Sequence, residues 1–262
     1  MSTAGQAAVP ATAQIEAQSG AVAQSWRPLL FQLAGIAVAF GLLVLWLGTA
    51  ELTATESATL APAALWAYTV EHLLLTGVAA VIVLVVAVPL GVLLTRGRAR
   101  RVTGPVMALA NIGQAAPAIG LLVLLAFWLG FGFWAAISAL VVYALLPVMR
   151  NTMVGLQQVD PRIVEAGRGV GMSSAGVLFR LELPLAVPVM LSGVRTALVL
   201  LVGTATLATF VNGGGLGILI TTGVNLNLTA VLVTGALLVA LLALTVDWIG
   251  RLVEHVARPK GL

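Results

Sequence analysis

The sequence predicts an all-α, polytopic membrane protein with six transmembrane helices. Three observations predict it. The mean hydropathy over 262 residues is +1.10. Only 8% of the residues are charged, against roughly a quarter in a soluble domain. The charges also fall between long apolar runs, and the chain has room for about six runs at the ~20-residue length of a membrane span. This balance excludes a disordered chain and an ordinary soluble enzyme.

Residues 1–26 are rich in Ala, Gln, Ser and Thr, hold no apolar run and read as a disordered tail. They lack the basic start of a secretory signal. Residues 29–48 form the first run. Gly48-Thr49-Ala50 loosely suits a cleavage site, but a run of about 20 residues is long for a signal core and reads as an uncleaved span. An outer loop, 51–67, holds Glu51 and Glu56, so 27–68 makes one unit of span and loop. The second span covers 69–95 and stops at Arg96, Arg98, Arg100 and Arg101. The third covers 105–129. Gly130, Phe131 and Gly132 turn the chain into the fourth, 133–149, which ends at Arg150. A more polar stretch leads to the fifth span, 186–210. Gly213, Gly214, Gly215 and Gly217 then form an outer glycine-rich loop, and 229–250 is the sixth span. The tail, 251–262, carries Arg251, Arg258 and Lys260.

In this reading every Lys and Arg except Arg195 lies on one side, while the opposite loops carry Glu51 and Glu56. Basic loops stay in the cytoplasm, so both termini are expected there. The pI of 10.7 and net charge of +4 then record membrane orientation, with no nucleic-acid partner. Phe127, Trp128, Phe131, Phe133 and Trp134 gather at the outer turn and read as an interfacial belt before a ligand cage.

The spans hold little chemistry. There are no cysteines, hence no thiolate metal site or cysteine nucleophile. His72 and His255 lie far apart in sequence, which speaks against a metal site, and neither has a neighbouring nucleophile. No cofactor, metal or catalytic residue is expected. An ion-coupled carrier needs acids or histidines inside the membrane, and these spans are nearly free of them, so that reading is the weaker one. Arg195 is the ionisable residue well inside a span; it reads first as snorkelling or pairing with Glu182 or Asp247, and second as lining a solute path. The sole lysine, Lys260, lies outside any Gly-x-x-x-x-Gly-Lys pattern, so an ATP-driven process would need a second protein to hydrolyse the ATP.

The informative stretch is 160–184. Asp160-Pro161 suits a helix start. Gly167, Gly169 and Gly171 permit a reversal. Ser173 or Ser174 can cap a second helix, which Pro184 and Pro188 should stop. The result is helix, glycine turn, helix, carrying Ile163, Val164, Leu178, Phe179 and Leu181. So apolar a loop either packs under the spans or docks on a partner.

The run Glu165-Ala166-Gly167, then Gly171, then Leu181-Glu182-Leu183-Pro184 resembles the EAA signature of ABC importer permeases: Glu-Ala-Ala, three residues, Gly, nine residues, Ile-x-Leu-Pro. All spacings match; Gly167 stands for the second alanine and Leu181 for isoleucine. The resemblance covers about 69–250 and implies a type I importer permease whose coupling loop, 151–185, sits in a groove of the ATPase subunit. It marks Glu165, Ala166, Gly167, Gly171, Leu181 and Pro184 as that loop's residues. It further implies a second permease copy or homologue, a separate extracytoplasmic solute-binding protein and a bacterial inner-membrane location. The stretches 111–117 (Asn-Ile-Gly-Gln-Ala-Ala-Pro), 146–152 (Leu-Pro-Val-Met-Arg-Asn-Thr) and 212–217 (Asn-Gly-Gly-Gly-Leu-Gly) look most like osmoprotectant permeases for glycine betaine, carnitine and choline. Permeases for methionine or sulfonates share the signature and remain an alternative. Asn111 and Gln114 share a face of the third span, and Pro117 frees a backbone carbonyl one turn on. With Thr204 and Thr206 they are candidates for the translocation path, although each fits interhelical hydrogen bonding better when taken singly.

Overall fold

The computed structural model describes residues 26–257, in which every regular element is helical. The disordered-tail expectation therefore lies almost wholly outside the described residues. In chain order the helices are α1 (Arg27–Thr49), α2 (Ala54–Thr59) and α3 (Pro62–Leu94). A 3₁₀ turn (Gly97–Val102) joins α3 to α4 (Thr103–Ala115), followed by α5 (Ala118–Leu129) and α6 (Phe133–Gln157). Then come α7 (Pro161–Gly169), the long rod α8 (Ser174–Val211), α9 (Gly217–Asn225) and α10 (Thr229–Ala257). Five helices are long and apolar enough to cross a membrane, six when the bent pair α4–α5 is counted as one span.

Several boundaries differ from the sequence reading, each for a local reason. The 51–67 stretch is not simply a loop. Thr53 and Glu56 form a capping box, in which the Thr53 N–H donates to the Glu56 carboxylate at 3.0 Å and the Glu56 N–H donates to Thr53 Oγ1 at 3.3 Å. Pro62 then starts α3 well before residue 69, in the first helical turn, where proline costs nothing. The fourth span runs on past Met149 to Gln157. Asn151 and Thr152 return their side-chain donors to the carbonyls of Pro147 and Val148 four residues back, so these polar residues stay helical. Residues 251–257 likewise continue α10. The glycine loop ends at Gly217, where α9 begins and packs against α10.

The largest correction concerns the third span. It breaks at Ala116-Pro117, and the two halves are bent by 101°. Proline removes a backbone donor and disfavours helix at the preceding residue. A second correction concerns Pro184 and Pro188, which do not stop the helix. Residues Leu178–Glu182 form a π turn, with the Leu183 N–H returning to the Leu178 carbonyl five residues back. The widened turn leaves room for the proline ring, and α8 continues through it.

The core joins α3, α6 and α8. Leu75, Ala79 and Val83 meet Ala136, Leu140, Ala144 and Met149, with Ala197 and Leu201 from α8. Small residues set the spacing, as is usual where lipid supplies no hydrophobic drive between helices. A Cβ on Gly193 would lie 2.8 Å from the Pro147 carbonyl oxygen, and one on Gly235 would lie 2.6 Å from Leu219 Cβ.

α1 stands at the edge and packs on α10. Gln32 Nε2 donates to Asp247 at 3.0 Å, and the Trp248 indole donates to the Leu29 carbonyl at 2.9 Å. Arg195 lies between Asp247 (3.7 Å) and Glu254 (3.4 Å). Its expected Asp247 partner is present. Glu182 is not a partner, because Arg96 holds it.

Candidate coupling loop and solute path

The loop between α6 and α8 is a compact unit built by its own caps. Asp160 Oδ1 accepts the Arg162 N–H at 2.8 Å and Pro161 fills the first position of α7. The helix ends in a paired closure: the Gly171 N–H returns to the Arg168 carbonyl at 3.0 Å, and the Met172 N–H to the Gly167 carbonyl at 3.1 Å. Gly171 has φ +85°, a conformation side chains resist. Of the three glycines expected to make the reversal, Gly171 alone does so; Gly167 and Gly169 remain helical. Ser173 Oγ then accepts the Gly176 N–H at 3.1 Å and starts α8.

Inside this unit Gly167 is buried under Leu181. A Cβ on Gly167 would come within 2.6 Å of Leu181 Cδ1, with Met172 and Val177 beside it. The two departures from the EAA signature are thus in contact: the missing side chain at 167 leaves the space that Leu181 Cδ1 occupies. Glu165 and Ala166 are exposed on α7. Ile163, Val170 and Phe179 also present apolar surface, Val170 at 81% and Phe179 at 67% exposure. Pro184 lies inside α8, and exposed.

Glu182, the variable residue within Leu-Glu-Leu-Pro, is 6% exposed and takes both its oxygens to Arg96, with Arg96 Nη1 to Oε1 at 3.0 Å. Sequence reasoning assigned this pair no role. The available signal was a carboxylate amid apolar residues, which must find a cation.

The path candidates are placed less uniformly. Asn111 is exposed on α4 and donates to the Met107 carbonyl at 2.7 Å, while Gln114 reaches the Tyr143 carbonyl on α6 at 3.5 Å. Pro117 caps α5 at the break. The Tyr143 hydroxyl donates to the Ala116 carbonyl, satisfying a group the break would leave bare. Thr204 and Thr206 return their hydroxyls to Leu200 at 2.8 Å and Gly203 at 2.7 Å. Among the described residues no hydrogen bond joins these threonines to Asn111 or Gln114. The aromatic residues at the α5–α6 turn pair edge to face, Phe127 with Phe131 and Phe133 with Trp134, and Trp128 stands 83% exposed.

At the glycine-loop end, Glu71 Oε2 accepts the Gly215 N–H at 3.0 Å, and His72 is fully buried with Nε2 3.0 Å from the Val202 carbonyl. The sequence reading put His72 at an outer edge; the glycine loop folds over it.

A membrane bundle with a broken span and a capped, partly apolar loop has known counterparts. Residues 87–258 match the binding-protein-dependent transport system inner membrane component family. The chain belongs to this family. The permease is 40% identical over 192 residues to the glycine betaine/carnitine/choline transport system permease protein OpuCB of Bacillus subtilis (strain 168), spanning 73% of this chain and 88% of that protein. It is 37% identical over 199 residues to the osmoprotectant import permease protein OsmW of Salmonella typhimurium (strain LT2), spanning 74% and 92%. Its fold matches a chain of the inward-facing MetNI methionine ABC transporter with a TM-score of 0.65 and 25% identity, covering 74% of this chain and 96% of that one. The EAA resemblance therefore holds: this is an ABC importer permease, an inner-membrane transport subunit with a type I fold. The family match begins within α3, so α1 and α2 lie outside it.

Proposed function

We infer that this permease imports quaternary-ammonium osmoprotectants, such as glycine betaine, choline or carnitine, using ATP hydrolysed by a separate subunit. The observation that carries this reading is the set of relatives: permeases named for these solutes are 36–40% identical over nearly three quarters of the chain. Asn111, Gln114, Thr204 and Thr206 offer weak dipoles without a fixed charge, which suits a zwitterion or cation held tightly elsewhere. An aromatic cage for tight recognition belongs to the separate binding protein.

The path is completed by a second permease subunit, either a copy or a homologue. α4 buries no residue within this chain, yet exposes Asn111. A polar amide facing lipid is costly, and a facing subunit relieves that cost. The ATPase docks on the loop through Glu165, Ala166 and the exposed apolar residues beside them, with Gly167, Gly171, Leu181 and Pro184 holding its shape. Both termini face the cytoplasm. The permease supplies no bond chemistry; its work is differential stabilisation of two conformations.

The test is reconstitution. Purified complex in liposomes should import glycine betaine, choline or carnitine only with its binding protein and ATP. Uptake of methionine or a sulfonate without any quaternary amine overturns the substrate reading. Glu165→Lys, at an exposed position, should fold yet lose ATPase association; retained association and uptake would show that the loop merely packs under the spans.

A further inference from the structure

Three helices meet at the coupling-loop end of the bundle, and contacts of two kinds tie them. α3 and α6 touch through small residues, since a Cβ on Gly91 would lie 2.8 Å from Thr152 Cβ. α6 and α8 touch in the same way, since a Cβ on Gly155 would lie 3.0 Å from the Ala186 carbonyl oxygen. α8 and α3 are joined by an ion pair, Glu182 with Arg96. The first two contacts pack the helix bodies at Gly91 and Gly155, whereas Arg96 lies beyond Gly91, so the ion pair is the contact that reaches the elbow itself. The ion pair joins two longer side chains, which can keep hold of one another through a rotation.

The positions of its two ends matter. Glu182 is the last residue of the π turn, near the end of the coupling loop where it passes into the body of α8. Arg96 stands where α3 gives way to α4. Its carbonyl accepts the Arg100 N–H at 3.2 Å, and Thr103 Oγ1 donates to the Leu94 carbonyl at 2.8 Å, so the α3–α4 elbow is one piece. α4 leads from there to the break at Pro117.

We propose that Glu182 and Arg96 form a positioning pair that carries movement of the coupling loop to the α3–α4 elbow and so to the broken span. Glu182 is buried, so a loop that moved without Arg96 would strand an uncompensated carboxylate. The elbow therefore follows the loop. This inference rests on the docking reading above and adds the route by which docking reaches the path.

The experiment uses the assembled complex with its ATPase subunits. Because the chain has no cysteine, Ser174→Cys and Gly104→Cys can each carry a spin label, reporting the loop and the elbow separately. A non-hydrolysable ATP analogue should shift both labels in the otherwise unaltered permease. In Glu182→Gln and Arg96→Gln the loop label should still shift, while the elbow label loses its response. Glycine betaine imported per ATP should fall. The exchanged pair, Arg96→Glu with Glu182→Arg, should restore the elbow response. Equal shifts at both labels in every variant, or an exchanged pair that folds without restoring the response, overturns the proposal while leaving docking intact. A loop label that ignores the nucleotide in the unaltered complex instead overturns docking, and this inference with it.

Discussion

Gly167 and Leu181 show how two departures from a signature can be one feature. Adding a methyl at Gly167 forces aside Leu181 Cδ1, the free end of a flexible side chain, so the cost falls at the low end of the ~1–3 kcal/mol range for overpacking. Gly167→Ala should lower the melting temperature of the purified permease, and Gly167→Ala with Leu181→Ile should recover most of the loss. A double variant as unstable as the single one would show that the two positions are independent. Gly171→Val should cost more, because a β-branched side chain at φ +85° is strained by ~1–2 kcal/mol or beyond. Gly169→Ala, with open space at its Cβ, should be tolerated; loss of ATPase pull-down at 171 and its retention at 169 is the expected pattern. The sequence displayed three glycines but not which one turns, since helix closure depends on hydrogen bonds to Gly167 and Arg168 rather than on composition. Glu56 gives a pH effect. The Thr53 N–H and hydroxyl hold its carboxyl below the ordinary carboxylate range. Its contribution to α2 is therefore complete above about pH 4.3, the ordinary value, and is lost as pH falls through the lowered one. Hydrogen exchange over 54–59 should accelerate in acid, and Glu56→Gln should remove that dependence.

At the scale of the element, the broken span decides most. Pro117 announced a disturbance, but the Ala116 carbonyl at the bend finds its partner in Tyr143, remote in sequence. Tyr143→Phe should leave that carbonyl without its partner at a cost of ~1–3 kcal/mol, read as a lower melting temperature with the helical content unchanged. A melting temperature equal to the parent's would mean that water or another donor replaces the hydroxyl. Bulky substitutions at Asn111 or Gln114 should slow uptake more than they reduce folded yield, whereas equal losses would mark both residues as structural. The π turn was hidden for a related reason. The expectation that Pro184 ends a helix assumes α-helical spacing, and a single wider turn removes the clash on which it depends.

Across the whole molecule the apolar runs were legible because membrane spans are long and their composition is extreme. What stayed hidden were the polar ends: helices ran on through Asn151, Thr152 and Arg251, where side chains satisfied their own backbone or an ion pair. The charge asymmetry makes a direct prediction about sidedness. Ser57 and Ser174 are both exposed, so reagent access reports the side of the membrane and not burial. A cysteine placed at Ser57 should react with an impermeant thiol reagent added outside, and one at Ser174 should not. The reverse pattern would invert the topology.

The seating of α1 on α10 also has a consequence for the order of synthesis. Gln32 and Leu29 on α1, and Glu56 on the following α2 through the Ala230 N–H at 3.4 Å, all meet α10. During translation α1 enters the bilayer before every other described helix, yet its seat is made last. Until Asp247 and Trp248 leave the ribosome, the leading helix must wait among lipids or chaperones. A nascent chain halted before α10 would leave α1 unmoored.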